Sequence, residues 1–271
     1  MDNSKIAILS TVINKELYQI SSPLFPEKIQ KYIIDGTNGM HGISSIFYMM
    51  EKLKGKGIEW LIMSDEDVLF ANPFLVFDLI EKMQSENYTI CGIRDGGLIR
   101  HRVQNPFLIN TFFSIINFKE IEMLWDKKEI LKNNYILENE FDDNLDHLTG
   151  LYDRNSLKEP YYCFYLWLRR KNKKIFFLDT KIAFKDDDFT NVVYFENVVL
   201  LYHTWHARFY SKSKQQTERI NKVLQSIVSD QKKLPDLKVI VFKDKFYAAR
   251  SKIWKQVYKI KNRMHNFSVL K

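Results

Sequence analysis

The chain has 271 residues, 45% of them hydrophobic and 27% charged. That balance fits one large α/β domain or two small ones and excludes wholesale disorder and a disulfide-stapled miniprotein. Lys and Arg number 41 against 33 Asp and Glu, a net charge of +8, which favours an anionic partner: a phosphorylated small molecule, a nucleic acid or an acidic membrane. Cys91 and Cys163 stand in no CxxC or Cys/His pattern, which argues against a thiolate zinc site and suits a reducing compartment. No apolar run approaches the ~20 residues of a spanning helix. Met1-Asp2-Asn3-Ser4-Lys5 lacks the layout of a secretory signal, so a cytoplasmic protein is expected.

In chain order, Ile6–Ile13 reads as a buried strand and Tyr32–Ile34 as a second, stopped by the turn formers Asp35-Gly36-Thr37-Asn38-Gly39. Ile43, Ile46, Phe47, Met50 and Leu53 recur at helical spacing, which predicts a helix over 43–54 ended by Gly55 and Gly57. Trp60–Met63 is a third strand, Pro73 opens a helix over 74–83, and Tyr88–Ile93 is a fourth strand. Beyond it, strands are expected at 112–117, 175–178 and 198–202, and helices at 120–132 and 160–170, with an acidic loop over 138–146. The alternation over the first hundred residues predicts an α/β fold with a mostly parallel central sheet flanked by helices. After Tyr210 the composition shifts: 211–234 reads as a polar helix broken by Pro235, and 242–264 as a basic amphipathic helix. The expected division is a catalytic domain over 1–210 and a helical basic extension over 211–271.

The chemistry is expected at Ser64-Asp65-Glu66-Asp67, which follows the third strand. In an open α/β sheet, ligands sit outside the carboxyl ends of the strands. Were this segment extended, Asp65 and Asp67 would share a side and Glu66 would point away. Paired carboxylates attract Mg²⁺ or Mn²⁺ with positions left open for phosphate oxygens. The plain alternative is a solvated acidic turn.

Ser64-Asp65-Glu66-Asp67-Val68-Leu69-Phe70, followed by Asn72-Pro73, resembles the Asp-x-Asp region of GT-A-fold (Rossmann-like) glycosyltransferases, and the resemblance runs roughly from Lys5 to His206. Ile33-Ile34-Asp35-Gly36-Thr37 is similar to the early strand end that contacts the nucleoside, and Ile93-Arg94-Asp95-Gly96-Gly97 stands where the family places sugar contacts. Lys158-Glu159-Pro160 is similar to the family 2 Glu-Asp pattern, with Pro160 where that pattern has Asp. Leu201-Tyr202-His203-Thr204-Trp205-His206 looks like the late histidine used as a metal ligand. The resemblance implies a metal-dependent, hexosyltransferase-like enzyme of the bacterial surface-glycan type. Its donor would be a nucleoside-diphosphate sugar, UDP-sugar favoured, and its acceptor a glycan or lipid-linked glycan. Asp65, Asp67 and His203 would hold Mn²⁺ or Mg²⁺. Thr11, Asp35, Asp65, Arg94 and Asp95 would bind the donor, and Glu159 would take the acceptor proton in an inverting reaction. Asp-Val-Leu-Phe also resembles retaining family 8 enzymes, which leaves the stereochemical outcome open.

Two readings stay open for 242–264: a peripheral anchor on an anionic inner-leaflet surface, or a helix packed on protein. His206, in an extended segment, would face away from His203, and Arg94, Arg100, His101 and Arg102 could pair with donor phosphate or acceptor, the plain alternative being a basic loop. A nucleotidyltransferase is the competing enzyme reading, but Ile8–Asn14 carries no Gly-rich phosphate loop. A non-catalytic glycan or nucleic-acid binder is the third; no nucleic acid is expected, since no helix-turn-helix, zinc-finger or RNP-like pattern is present.

Overall fold

A computed structural model describes residues 2–227, 238–253 and 256. Strand β1 (Ile6–Val12) leads into helix α1 (Lys15–Ser21), whose first turn is capped by Asn14 accepting from the Leu17 N–H. Next come β2 (Gln30–Asp35), α2 (Ile43–Leu53), β3 (Trp60–Ser64), β4 (Val68–Phe70), α3 (Leu75–Ser85), β5 (Ile90–Arg94) and β6 (Ile109–Asn117). Short helices α4 (Phe118–Leu124) and α5 (Lys127–Lys132) precede an irregular stretch and helix α6 (Tyr162–Arg170). The rest is β7 (Ile175–Phe177), β8 (Asp179–Phe184), β9 (Asp187–Phe195), β10 (Val198–His203), α7 (Lys214–Ile227) and β11 (Ile240–Phe242).

The central sheet has seven strands in the order β11-β2-β1-β3-β6-β5-β7, all running one way except β6. The expected mostly parallel sheet flanked by helices is what the chain forms. Its inner strands β1, β3, β5 and β6 are mostly apolar and buried because both faces are covered. In β3, successive side chains part company: Leu61 joins the core under α2 and α6, and Ile62 joins the core under α3. Helix α6 lies wholly inside, with every residue from Tyr162 to Leu168 buried, Cys163 and Trp167 among them. A second, antiparallel sheet, β4-β10-β9-β8, packs on the α3 side. Helix α7 closes a third apolar cluster with Ile220, Val223 and Leu224 against Leu17 and Leu69.

Several expected elements shift. The helix expected at 120–132 is two helices, because Asp126 turns out of the first and caps the second by accepting from the Lys128 and Glu129 N–H groups. Helix α6 begins at Tyr162, leaving Glu159 and Pro160 in the turn before it. The β8–β9 hairpin turns at Lys185-Asp186, so of the Asp186-Asp187-Asp188 run, which alone reads as a loop, Asp187 and Asp188 already belong to β9. Phe242 lies in a strand, not a helix: β11 pairs with β2 and the Phe242 ring stacks on Tyr32 at 5.6 Å. Residues 247–253 are helical, and 257–264 of the expected amphipathic helix fall outside the described residues. Among the described residues no helix is long and apolar enough to cross a membrane.

Candidate active site

A cleft of about 1250 Å³ opens where β1, β3 and β10 end, between α2 and the segment 244–251. Thr11, Asp65, Glu66, Asp67, Glu159 and His203 all line it, although they come from four separate parts of the chain. Parallel strands bring their carboxyl ends to one edge, and that edge is where these residues meet.

The acidic motif is a turn, not an extended run. The Val68 N–H donates to the Asp65 carbonyl at 3.2 Å and the Asp65 N–H to the Phe112 carbonyl at 2.9 Å. Each carboxylate therefore has a separate environment. Glu66 is buried and accepts from the Ile13 and Asn14 N–H groups at 2.9 and 3.0 Å, tying the motif to the end of β1; burial and the neighbouring Asp67 push it up to about 7. Asp67 Oδ1 lies 3.3 Å from His203 Nε2, and Oδ2 accepts from the Ala207 N–H at 3.2 Å. Burial opposes its charge, but His203 and that N–H outweigh burial and hold Asp67 below the usual carboxylate range. Asp65 makes no hydrogen bond or ion pair through its carboxyl among the described residues. Desolvation first, then Asp67 and Glu66, push it well above that range. Two neighbouring acids are thus shifted in opposite directions, and shifted groups of this kind cluster at functional sites.

His203 is buried at the end of β10, its ring stacked on Phe112 at 3.9 Å with 14° between planes. That stacking and the Asp67 contact at Nε2 hold the ring, and among the described residues Nδ1 has no hydrogen-bond partner. The chain then turns through Trp205 and His206 in the left-handed region, φ 58° and 62°. This is costly for bulky residues and is held from α7, where Arg219 donates to the Trp205 carbonyl at 3.2 Å and to Thr190 Oγ1 at 2.8 Å. Because of this turn His206 also lines the cleft, where an extended segment would have sent it elsewhere.

Across the cleft, Glu159 Oε1 accepts from Arg102 Nη2 at 2.9 Å, and Arg102 is gripped by the fully buried Asp95. Asn110, which holds Asp95 at 2.6 Å, carries no sequence signal of its own, and nothing in the sequence pairs Arg102 with Glu159. Arg102 sits in what reads as a basic loop. The structure separates that loop: Arg100 pairs with Asp188 at the surface, while Arg102 reaches the cleft. Tyr161 also lines the cleft and donates to Asp95.

Three expected donor contacts, Asp95, Asp35 and Arg94, stand away from the lining, Asp95 being fully buried against Arg102. Asp35 is buried at the end of β2, bonded by the Thr37 N–H at 3.0 Å and the Thr37 hydroxyl, and paired with Lys243 at 2.9 Å. Arg94 lies under the Phe177 ring at 3.6 Å and donates to the Pro106 carbonyl at 2.6 Å, where it ties the 95–107 loop to the sheet.

For a divalent ion, Asp67 and His203 are a fitting pair. Their facing atoms are 3.3 Å apart, close to the ~3 Å between adjacent donors of an octahedral Mg²⁺ site. Such ions are commonly held by one or two protein groups plus phosphate oxygens. Among the described residues no group of three or more His, Cys, Asp or Glu is arranged to hold a metal by itself.

No protein-family model and no curated protein matches the chain. Among solved structures, the chain is similar to a glycosyltransferase involved in the glycosylation of the major capsid of PBCV-1, at 17% identity and a TM-score of 0.29. The match covers 44% of this chain and 63% of that one.

Proposed function

We propose that the protein transfers a glycosyl group from a nucleoside-diphosphate sugar to a hydroxyl of a glycan or lipid-linked glycan. One observation carries the reading: the acidic motif, His203 and Glu159 line a single cleft at the carboxyl edge of a mostly parallel sheet. Asp67 and His203 would hold Mn²⁺ or Mg²⁺, which when bound supplies positive charge to the departing diphosphate. Asp65, whose carboxyl has no protein partner, would accept from the donor ribose or join the ion. Glu159 would take the acceptor proton as the hydroxyl attacks from the opposite face, the inverting course.

The partner surface belongs to the same proposal. Phe246 and Ile253 are 70% and 61% exposed beside Lys245 and Lys252, a composition suited to an anionic bilayer.

A panel of UDP-, GDP- and dTDP-hexoses with Mn²⁺ tests the reading, scored by thermal shift and by transfer to octyl glycosides. A ligand that binds only the folded state raises its melting temperature. Asp67→Ala should lose the Mn²⁺-dependent part of the shift and at least about 100-fold in turnover, the usual scale for removing one electrostatic stabiliser. Turnover within threefold of the wild type would refute the role of Asp67. No turnover of any donor by the wild type would refute glycosyl transfer.

A further inference from the structure

Asp95 is fully buried, and a buried carboxylate is tolerated only when its lone pairs are used. Five donors reach it. Arg102 Nε and Asn110 Nδ2 donate to Oδ1 at 2.7 and 2.6 Å; Arg102 Nη2 donates to Oδ2 at 2.6 Å, joined by the Tyr161 hydroxyl at 3.2 Å and by that of Tyr162. Nε and Nη2 together make the two-pronged pairing that fixes the plane of a guanidinium. Nη2 carries a second hydrogen, and this one goes to Glu159 Oε1 at 2.9 Å. Asp95 thus sets the plane, and the plane sets Glu159.

The loop between the two residues is built to hold this arrangement. A side chain at Gly96 would overlap the Gln104 carbonyl, and Gly97, at φ 88°, lies against Leu148. The Asp95 N–H is bonded to the Leu108 carbonyl at 2.9 Å. Burial disfavours the charge on Arg102, but Asp95 more than restores it, raising Arg102 above its ordinary value. Among the described residues Glu159 Oε2 and Arg102 Nη1 have no partner, so each is left for a substrate.

We propose that Asp95 and Arg102 are positioning residues for Glu159, holding Oε1 so that Oε2 is the oxygen that takes the acceptor proton. This rests on the reading of Glu159 as the base. In that step the acceptor O–H bond breaks and its proton passes to Oε2. The freed electron pair bonds the anomeric carbon, whose bond to the diphosphate oxygen breaks with its electrons on the diphosphate. Lysine in place of Arg102 would keep the charge but lose the fork.

The test is a double-mutant cycle on the full chain, with the nucleoside-diphosphate hexose that turns over fastest in the panel and Mn²⁺. Arg102→Met should lose about 100-fold in kcat, the scale of a misplaced catalytic group. Its donor KM and nucleotide-induced thermal shift should stay within twofold of the wild type. Arg102→Lys should recover only part of the loss. Glu159→Gln should lower kcat by about 1,000-fold, within the range of general-base catalysis, and adding Arg102→Met to it should cost nothing more, because residues that act through one another are not additive. Asp95→Asn, if it folds, should reproduce the Arg102→Met loss; if it does not, the Arg102–Glu159 cycle decides alone. The proposal fails if Arg102→Met keeps kcat within threefold, or if the two losses multiply. An active Glu159→Gln enzyme removes the base itself and the proposal with it. That outcome differs from an inactive Glu159→Gln beside a normal Arg102→Met.

Discussion

Asp35 shows how one carboxylate can look like a ligand contact and serve the fold. In sequence it is an acid at a strand end, the type and place that nucleoside contacts favour. In the structure Thr37 and Lys243 already occupy it. Burial pushes it up, but those hydrogen bonds and the Lys243 charge outweigh burial and bring it down to about 2. A carboxyl lowered in the folded state adds stability above its unfolded value of 3.8, and that stability is lost as pH falls from there towards 2. Asp35→Asn should therefore cost about 2 kcal/mol at pH 7, and the gap to the wild type should close between pH 4 and 2, read by urea denaturation. A constant gap across that range would show that Asp35 contributes no pH-dependent stability. Asp67 and His203 were legible as candidates because hard-ligand residues at strand ends are few. Arg102 was not: its partner Glu159 lies 57 residues away, and no local pattern encodes such a pairing.

The elements were most readable where hydrophobic period and turn residues agree, as in β1, α2 and β3. They failed where one signal imitates another. The Asp186-Asp187-Asp188 run reads as a solvated loop but passes from a hairpin turn into β9, with Asp187 accepting from the Phe189 and Thr190 N–H groups. The apolar alternation that would have revealed β9 is blurred by Val192 and Val193, consecutive and both buried. The stretch over 120–132 has helical periodicity throughout, yet Asp126 sits mid-way with its side chain on the Lys128 and Glu129 N–H groups. An aspartate in that position competes with the helix for its own backbone. Replacing it, Asp126→Ala, should destabilise the protein by about 1 kcal/mol, the usual cost of losing a helix cap. A change in melting temperature under one degree would mean that α5 is held by its packing instead.

At the scale of the molecule, the first 210 residues carry the strand–helix alternation, and the expected extension proves interwoven with them: α7 clamps the Trp205–His206 turn and β11 lengthens the sheet. The outer face of residues 246–253 carries the apolar and basic side chains proposed to meet a bilayer. Replacing Phe246 and Ile253 together by Ser should reduce co-sedimentation with anionic vesicles at least tenfold and leave binding of soluble nucleotide unchanged. Equal sedimentation of the two proteins would assign that face to something other than lipid.

The placement of β11 has a consequence for how the site comes into being. Asp244, Tyr247 and Arg250 line the same groove as α2, so translation delivers these two parts of its lining some two hundred residues apart. While the polypeptide is still emerging from the ribosome, the corner of Asp67 and His203 can assemble before the rest of the lining arrives. Only when a three-residue strand zips onto β2 is the segment after it brought to the groove. A strand so short is held by few ladder bonds and is open to local unfolding, which would leave Asp67, His203 and Glu159 where they stand.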